Sequence, residues 1–333
     1  MRFAAVVSAP ELAPFSVRYE HDASHDAPGT LALLQFGEAD CPGDPRALRV
    51  PLRPLRAAPR ECWQVDAQVH CGREGALRWA AGGGWLFVAL NVHEREHGGI
   101  EGAAEHAYSV LCGWVAAREE RHLLRVWNYL HAINQGEGDQ ERYRRFCVGR
   151  ARGLGTKGIT RYPAATAIGH HDEEGLLQVY ALCAAQPGEA LENPRQVSAW
   201  AYPRQYGPTP PSFARAMKLP NGSLAISGTA AVVGHASLHD RDATAQVSET
   251  CINLRALLAA ASLPEFDAGS PLKVYIRNAG DASAIEAALA TRLGASVPRV
   301  FLQGDICRSE LLVEIDGWSS QPRVRTAAGS SRS

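Results

Sequence analysis

The chain has 333 residues, with 34 Lys and Arg against 35 Asp and Glu, and a formal net charge of −1. Its basic residues are scattered, so it lacks the positive field that a phosphate backbone requires, and nucleic acid is excluded as a partner. The length favours two domains over one core, without ruling out a single large one.

Met1 to Pro10 offers one Arg and a short apolar run ending at Ser8, which falls short of a secretory signal. No stretch reaches the roughly 18 to 20 apolar residues of a membrane span, so no membrane partner is expected and the cytoplasm is the expected compartment. The eight cysteines, Cys41, Cys62, Cys71, Cys112, Cys147, Cys183, Cys251 and Cys307, form no CxxC pair. In a reducing compartment they are expected to be small buried hydrophobes.

Residues 1 to 100 read as short strands, Leu31 to Phe36, Ala58 to Ala67 and Trp85 to His93, between Pro- and Gly-rich turns. From Gly102 to Leu154 apolar residues recur three or four apart. Ala107, Val110, Leu111 and Trp114, then Leu123, Val126, Trp127, Leu130 and Ile133, predict two amphipathic helices on the sheet. A third follows Asp139 and runs through Glu141, Tyr143, Phe146 and Val148 to a stop at Gly153. The next strand is Gln178 to Cys183.

Residues 187 to 222 carry seven prolines, too many for a regular element, and predict a functional loop or an interdomain crossing. Strand and helix signals then alternate: strand Leu224 to Val233, helix Ser248 to Ser262, strand Leu272 to Ile276, helix Asp281 to Leu293, strand Leu311 to Ile315. If the first strand forms a hairpin with the chain around Ala216, the order is β-β-α-β-α-β. The expected fold class is α+β, mixed sheets with packed helices, in an N-terminal α/β domain (1–193) and a C-terminal domain (194–320). The Ser- and Arg-rich tail (321–333) is expected to be disordered.

His93-Glu94-Arg95-Glu96-His97 fits the HExxH pattern of zinc hydrolases, but a strand-like run leads in and Gly98-Gly99 follow, so no helix sets both His on one face. A solvated turn is expected. His170-His171-Asp172-Glu173-Glu174, between two glycines, reads as a charged surface turn. Gly234 to His239 has two His four apart but neither helix nor third ligand. No metal or cofactor is expected.

The run Asp305 to Asp316 is more informative. Strand alternation puts Leu312 and Glu314 on one face and Leu311, Val313 and Ile315 on the other. A carboxylate among apolar neighbours gains a raised pKa, which a general acid working near neutrality needs. The competing reading is an edge strand with Glu314 in water. Trp200, Tyr202, Tyr206, Phe213 and Arg215, within sixteen positions, suit a flat, carboxylate-bearing small molecule, since Arg grips a carboxylate with two parallel hydrogen bonds. Core aromatics beside a surface Arg compete with that. Arg150 is a third candidate, at an expected helix end where a C-cap role competes.

Several stretches together resemble the chorismatase family. They are Trp127-Asn128-Tyr129; Glu141-Arg142-Tyr143 with Phe146 and Gly149-Arg150; Tyr202-Pro203-Arg204-Gln205-Tyr206-Gly207 with Ser212-Phe213-Ala214-Arg215; Ser227-Gly228-Thr229-Ala230 with Gly234-His235; and Asp305 to Glu314. The second half also resembles the RidA/YjgF fold, in which a mixed sheet carries two helices, and a related or extended α/β domain would precede it. In that comparison Arg299 falls at the fold's carboxylate-binding Arg.

The resemblance implies that Glu314 protonates the enolpyruvyl methylene of chorismate, giving an oxocarbenium that collapses to pyruvate. It also implies that Cys307 occupies the product-determining position. Members with Cys there make 3-hydroxybenzoate, and those with Ala hydrolyse chorismate to a non-aromatic diene acid. Release of 4-hydroxybenzoate as a second product is left open by these motifs. Arg215 and Arg150 are the expected partners of the two carboxylates, with Tyr202 and Tyr206 orienting the ring. The alternative from another class is a RidA-like metabolite-binding protein or enamine/imine deaminase. The long N-terminal half and the aromatic crossing speak against it. Monomer and homotrimer are both compatible with the sequence.

Overall fold

Apolar residues run almost unbroken through Trp85–His93, His122–His131 and Leu176–Ala184, the pattern of strands covered on both faces. These three form the middle of a seven-stranded sheet in the computed structural model, which describes residues 11–24, 26–37, 43–155 and 161–319. Met1 to Pro10, Cys41 and the 321–333 tail, each the subject of an expectation above, lie outside the described residues.

The order across this sheet is Asp305–Ile306, Ala164–His170, His122–His131, Leu176–Ala184, Trp85–His93, Leu77–Gly82 and His70–Glu74. A second seven-stranded sheet runs Glu189–Leu191, Ala216–Lys218, Leu224–Ala230, Val313–Ser319, Leu272–Ile276, Arg299–Gln303 and Arg53–Pro54. A four-stranded sheet, Phe15–Glu20, Arg60–Val65, Thr30–Phe36 and Ala47–Val50, packs beside them.

The two large sheets share one topology. Each opens with a hairpin, continues through a helix to a strand, crosses by a second helix to a parallel strand, and returns antiparallel into the middle. The helices are α1 (Ile100–Ala116) and α2 (Arg142–Gly155) in the first half, α3 (Ala243–Ala260) and α4 (Ala282–Leu293) in the second. Each half also lends a short strand to the other: Arg53–Pro54 extends the second sheet, Asp305–Ile306 the first. The fold is α+β, with the β-β-α-β-α-β order and the Ala216 hairpin both present. No described helix is long and apolar enough to cross a membrane.

Helices α1 and α2 cover the outer face of the first large sheet, and α3 and α4 that of the second. The inner faces meet in an aromatic core in which Trp127 stacks on Tyr180 at 4.8 Å and Trp63 lies 5.4 Å from Trp127. A fully buried polar cluster crosses that core. Asp316 Oδ2 accepts hydrogen bonds from Arg125 (3.0 Å), Trp127 (2.9 Å), Thr166 (2.7 Å) and Tyr275 (2.9 Å). Lys273 bonds Glu61 at 2.7 Å and approaches the other Asp316 oxygen at 3.6 Å.

Several sequence expectations need correction. Leu123 to Leu130 is an inner strand of the sheet, not a helix, and Ile133 lies in the turn that follows. Both faces of the strand are buried, so its apolar residues show no two-residue alternation. Gly153 does not stop α2, which continues to Gly155; it is a contact point with α1. Helix α3 starts earlier, at Ala243, because Asp242 caps it by accepting from the Ala245 amide at 2.9 Å. The turn after His93 exists, but Glu94 in it is buried and ion-paired to Arg142. His170 is likewise buried, at a strand end, with His171 to Glu174 forming the exposed turn. The strands Ala164–His170 and Arg299–Gln303 were not foreseen.

Candidate active site

Along Val313–Ser319, Val313 and Ile315 face α3 and α4, which leaves Glu314, Asp316 and Trp318 facing the other large sheet. The strand lies inside its sheet, and Glu314 is only 5% exposed, so the water-facing reading is overturned. Burial, then the nearby charge of Asp316, push the Glu314 carboxyl up to about 8, against a smaller pull from Arg125 and Arg215. It therefore carries its proton at neutral pH.

Glu314 lines a cavity of about 340 Å³ between the two large sheets, a volume suited to a small metabolite. One wall is Ala165, Thr166 and Ala167 with Tyr143 and Arg150 of α2. The proline-rich crossing supplies another, with Tyr202, Tyr206, Phe213 and Arg215; Gly228 and Cys307 to Leu311 close the rest. The crossing is tied to the opposite half by Arg204, which makes two hydrogen bonds to Asp139.

Arg215 donates to Tyr202 Oη (2.6 Å) and to the Val197 carbonyl (2.8 Å), and its guanidinium lies over the rings of Phe213 and Tyr202. Its Nε is buried without a hydrogen-bond partner among the described residues. Arg150, in the body of α2 rather than at its end, sits over the Tyr108 ring at 5.0 Å; its Nε and Nη2 are likewise buried and unpartnered. Buried donors without partners cost about 1–3 kcal/mol or more each, so two such guanidinium groups at one cavity mark a place for an anionic ligand. The C-cap reading of Arg150 and the surface-Arg reading of Arg215 both fail.

Cys307 also lines the cavity. Burial and the charge of Glu314 push its thiol up to about 12, so it is neutral and no nucleophile at ordinary pH. Sequence reasoning missed Arg308, which packs its guanidinium 3.9 Å from the centre of the Tyr206 ring and donates to the His235 carbonyl at 2.8 Å. Its one available signal was its place inside the Asp305 to Glu314 run. Arg299 is not brought to the cavity; it bonds the Gly294 carbonyl on the outer strand Arg299–Gln303. With Glu314 protonated, the lining holds Arg144, Arg150, Arg215 and Arg308 against Glu141 and Glu310, an excess of two positive charges.

Among the described residues no three His, Cys, Asp or Glu side chains converge as a metal site. The two His of the HExxH pattern diverge: His93 lies 3.7 Å from Glu173, and His97 stacks on His106.

A family profile described as chorismatase FkbO/Hyg5-like, N-terminal, matches residues 61–183. A chorismatase of Streptomyces rapamycinicus is 35% identical over 276 residues, which is 77% of this chain and 81% of that protein. The chain belongs to the chorismatase family. A protein named 3-hydroxybenzoate synthase, from Streptomyces hygroscopicus, is 33% identical over 276 residues, 77% of this chain and 80% of its own length. The crystal structure of a chorismatase superposes with a TM-score of 0.82 at 32% identity, covering 93% of this chain and 99% of the other. The likeness to a chorismatase structure thus takes in both halves and the cavity between them.

Proposed function

We propose that this chorismatase converts chorismate to pyruvate and 3-hydroxybenzoate in the cavity around Glu314, with Glu314 as the proton donor. One observation carries the reading: a buried, proton-bearing carboxyl group shares a cavity with buried guanidinium nitrogens that lack partners and with an excess of two positive charges. Chorismate bears two carboxylates, so it matches that excess.

Arg150 and Arg215 take the two carboxylates through the guanidinium nitrogens that have no hydrogen-bond partner among the described residues. Tyr202, held by Arg215, and Tyr206, held against His235 at 3.2 Å, line the ring-binding part. Glu314 transfers its proton to the methylene carbon of the enolpyruvyl ether. The electron pair of the C=C bond forms the new C–H bond, and the ether oxygen shares the positive charge that results. Proton transfer to carbon is slow and needs a positioned donor. If the bond between the ring and the ether oxygen breaks, its electrons stay on that oxygen, which becomes the keto oxygen of pyruvate; the neighbouring hydroxyl oxygen shifts to the vacated ring carbon and loss of a ring proton completes 3-hydroxybenzoate. If the bond between the oxygen and the cationic carbon breaks instead, a water supplies the keto oxygen of pyruvate and the ring leaves as the diol. Pyruvate and a hydroxybenzoate together contain the atoms of chorismate, so aromatisation consumes no net water, whereas the diene diol requires one. Cys307, as a neutral thiol in the cavity wall, fills space that Ala would leave to water. Some 4-hydroxybenzoate alongside the 3-isomer is compatible with the same site.

The test is incubation of the purified protein with chorismate, without added metal, and chromatography of the products. Equal amounts of pyruvate and 3-hydroxybenzoate are expected. Glu314→Gln keeps the shape and removes the acid, and is expected to lower kcat by about 10²–10⁴-fold. Full turnover in that variant would remove Glu314 from the chemistry.

A further inference from the structure

The strand Leu224–Ala230 carries one residue more than the strand it faces. Ile226 pairs with Gly317 and Thr229 with Ile315, so three steps on one side match two on the other. Ser227 and Gly228 form the resulting bulge.

Ser227 is clamped on all sides. Its Oγ donates to the Ala214 carbonyl at 2.6 Å and accepts from the Ala165 amide at 2.9 Å; its own amide donates to the Arg215 carbonyl at 3.1 Å. The bulge is thereby fixed to the Ala165–Ala167 wall and to the backbone that carries Arg215. Gly228, next along, lines the cavity. Its backbone is not left-handed, so conformation alone does not call for glycine there. Space does: a Cβ at this position would lie 1.9 Å from Glu314 Oε1 and 2.7 Å from its Cδ.

We propose that Gly228 is a positioning residue for Glu314: the bulge supplies a gap of one side chain, the carboxyl group occupies it, and the Ser227 clamp fixes that place relative to Arg215. This rests on the reading of Glu314 as the proton donor. A methyl group at 228 forces the carboxyl to another rotamer or spreads the strand pair. Either change moves the donor by about 1 Å relative to the substrate, a displacement that costs about 10²-fold in rate. Shortening the acid by one methylene relieves the collision.

The experiment measures chorismate turnover by wild type, Gly228→Ala, Glu314→Asp and the double variant, and thermal unfolding of Gly228→Ala in the wild-type and Glu314→Ala backgrounds. Gly228→Ala is expected to lose about 100-fold in kcat with KM changed less than about 3-fold. The double variant is expected to be at least as active as Gly228→Ala, far above the product of the two single losses. In unfolding, Gly228→Ala lowers the midpoint of the wild type and not that of Glu314→Ala, where its collision partner is gone. If Gly228→Ala does not fold at all, recovery of folding in the Glu314→Ala background supports the proposal and continued failure overturns it. Wild-type kcat in Gly228→Ala, multiplicative losses, or equal destabilisation in both backgrounds also overturns it. Retained turnover by Glu314→Gln overturns the acid reading and this proposal with it, and is told apart from failure of the contact itself by the unfolding comparison.

Discussion

As the proposed proton donor Glu314 must hold its proton, and burial sets how long it keeps it. With the carboxyl pushed up to about 8, kcat/KM for chorismate is expected to hold through neutral pH and to fall tenfold per unit above about pH 8. A pH–rate profile reads this directly, and a flat profile to pH 10 contradicts it. The same shift enters stability. The folded-state value lies above the ordinary 4.5, so the group's contribution is complete below about pH 4.5 and is lost as pH rises through about 8. Glu314→Gln should therefore gain on the wild type in unfolding midpoint as pH rises from about 4.5 to about 8. Cys307→Ala should move product from hydroxybenzoate toward the non-aromatic diol, as chromatography of the reaction mixture would show; an unchanged ratio reduces Cys307 to packing. Glu314, Cys307, Arg150, Arg215, Tyr202 and Tyr206, all named from the sequence, converge on one cavity. They were legible because each lies in a compact run of unusual composition. The close approach of Gly228 to Glu314 was not, because it depends on a cross-strand slip that no local pattern records.

At the scale of elements, the placement of Arg150 depends on how closely α2 approaches α1. A Cβ on Gly149 would lie 1.9 Å from the Glu101 carbonyl oxygen, and one on Gly153 2.6 Å from Tyr108 Cβ. Two glycines one turn apart let the backbones touch, and Arg150 follows directly after the first. Gly149→Ala should push α2 outward and draw Arg150 from its place. A rise of about 10-fold in KM is expected, since a charge-assisted hydrogen bond contributes about 1.5–3 kcal/mol, with kcat little changed; steady-state kinetics separates the two. The sequence did show α2, but not its start: Asp139 lies in a separate turn with its carboxylate on Arg204, and the helix begins at Arg142. It presented Gly153 as a terminator because glycine's role as a spacer depends on a neighbour far away in the chain. It showed Leu123 to Leu130 as helical because both faces of that strand are buried and no alternation marks it. Arg299–Gln303 has only three apolar residues in a row, Val300 to Leu302, between Arg299 and Gln303, too few for any period to emerge.

The two large sheets are two copies of one topology, joined through a shared polar core, with a four-stranded sheet beside them. The sequence left open whether the first half was related to the second or an extension of it, because the strand His122–His131 read as a helix. Both halves line the cavity, the first with Ala165 to Ala167, Tyr143 and Arg150, the second with Arg215, Gly228 and Glu314. The halves are held by buried charges, Arg125 with Asp316 and Lys273 with Glu61. Removing one partner leaves another charge unpaired in a dry interior, so Lys273→Met should cost about 3–5 kcal/mol. Denaturant unfolding measures it, and adding Glu61→Gln should return part of the loss.

The exchanged strands also put a clock on synthesis. Pro54 finds its partner only when Leu302 has been made, about 250 residues later, which at about 5–20 residues per second is roughly 12–50 s on the ribosome. Until Lys273 is made the nascent first half holds Glu61 without its partner, and to the end of that interval Arg125 lacks Asp316 and the outer edge of Ala164–His170 lacks the strand Asp305–Ile306 that will cover it. The emerging chain therefore needs shielding until its last strands arrive, and a premature stop near residue 300 spoils the half already made as well as the half left unfinished.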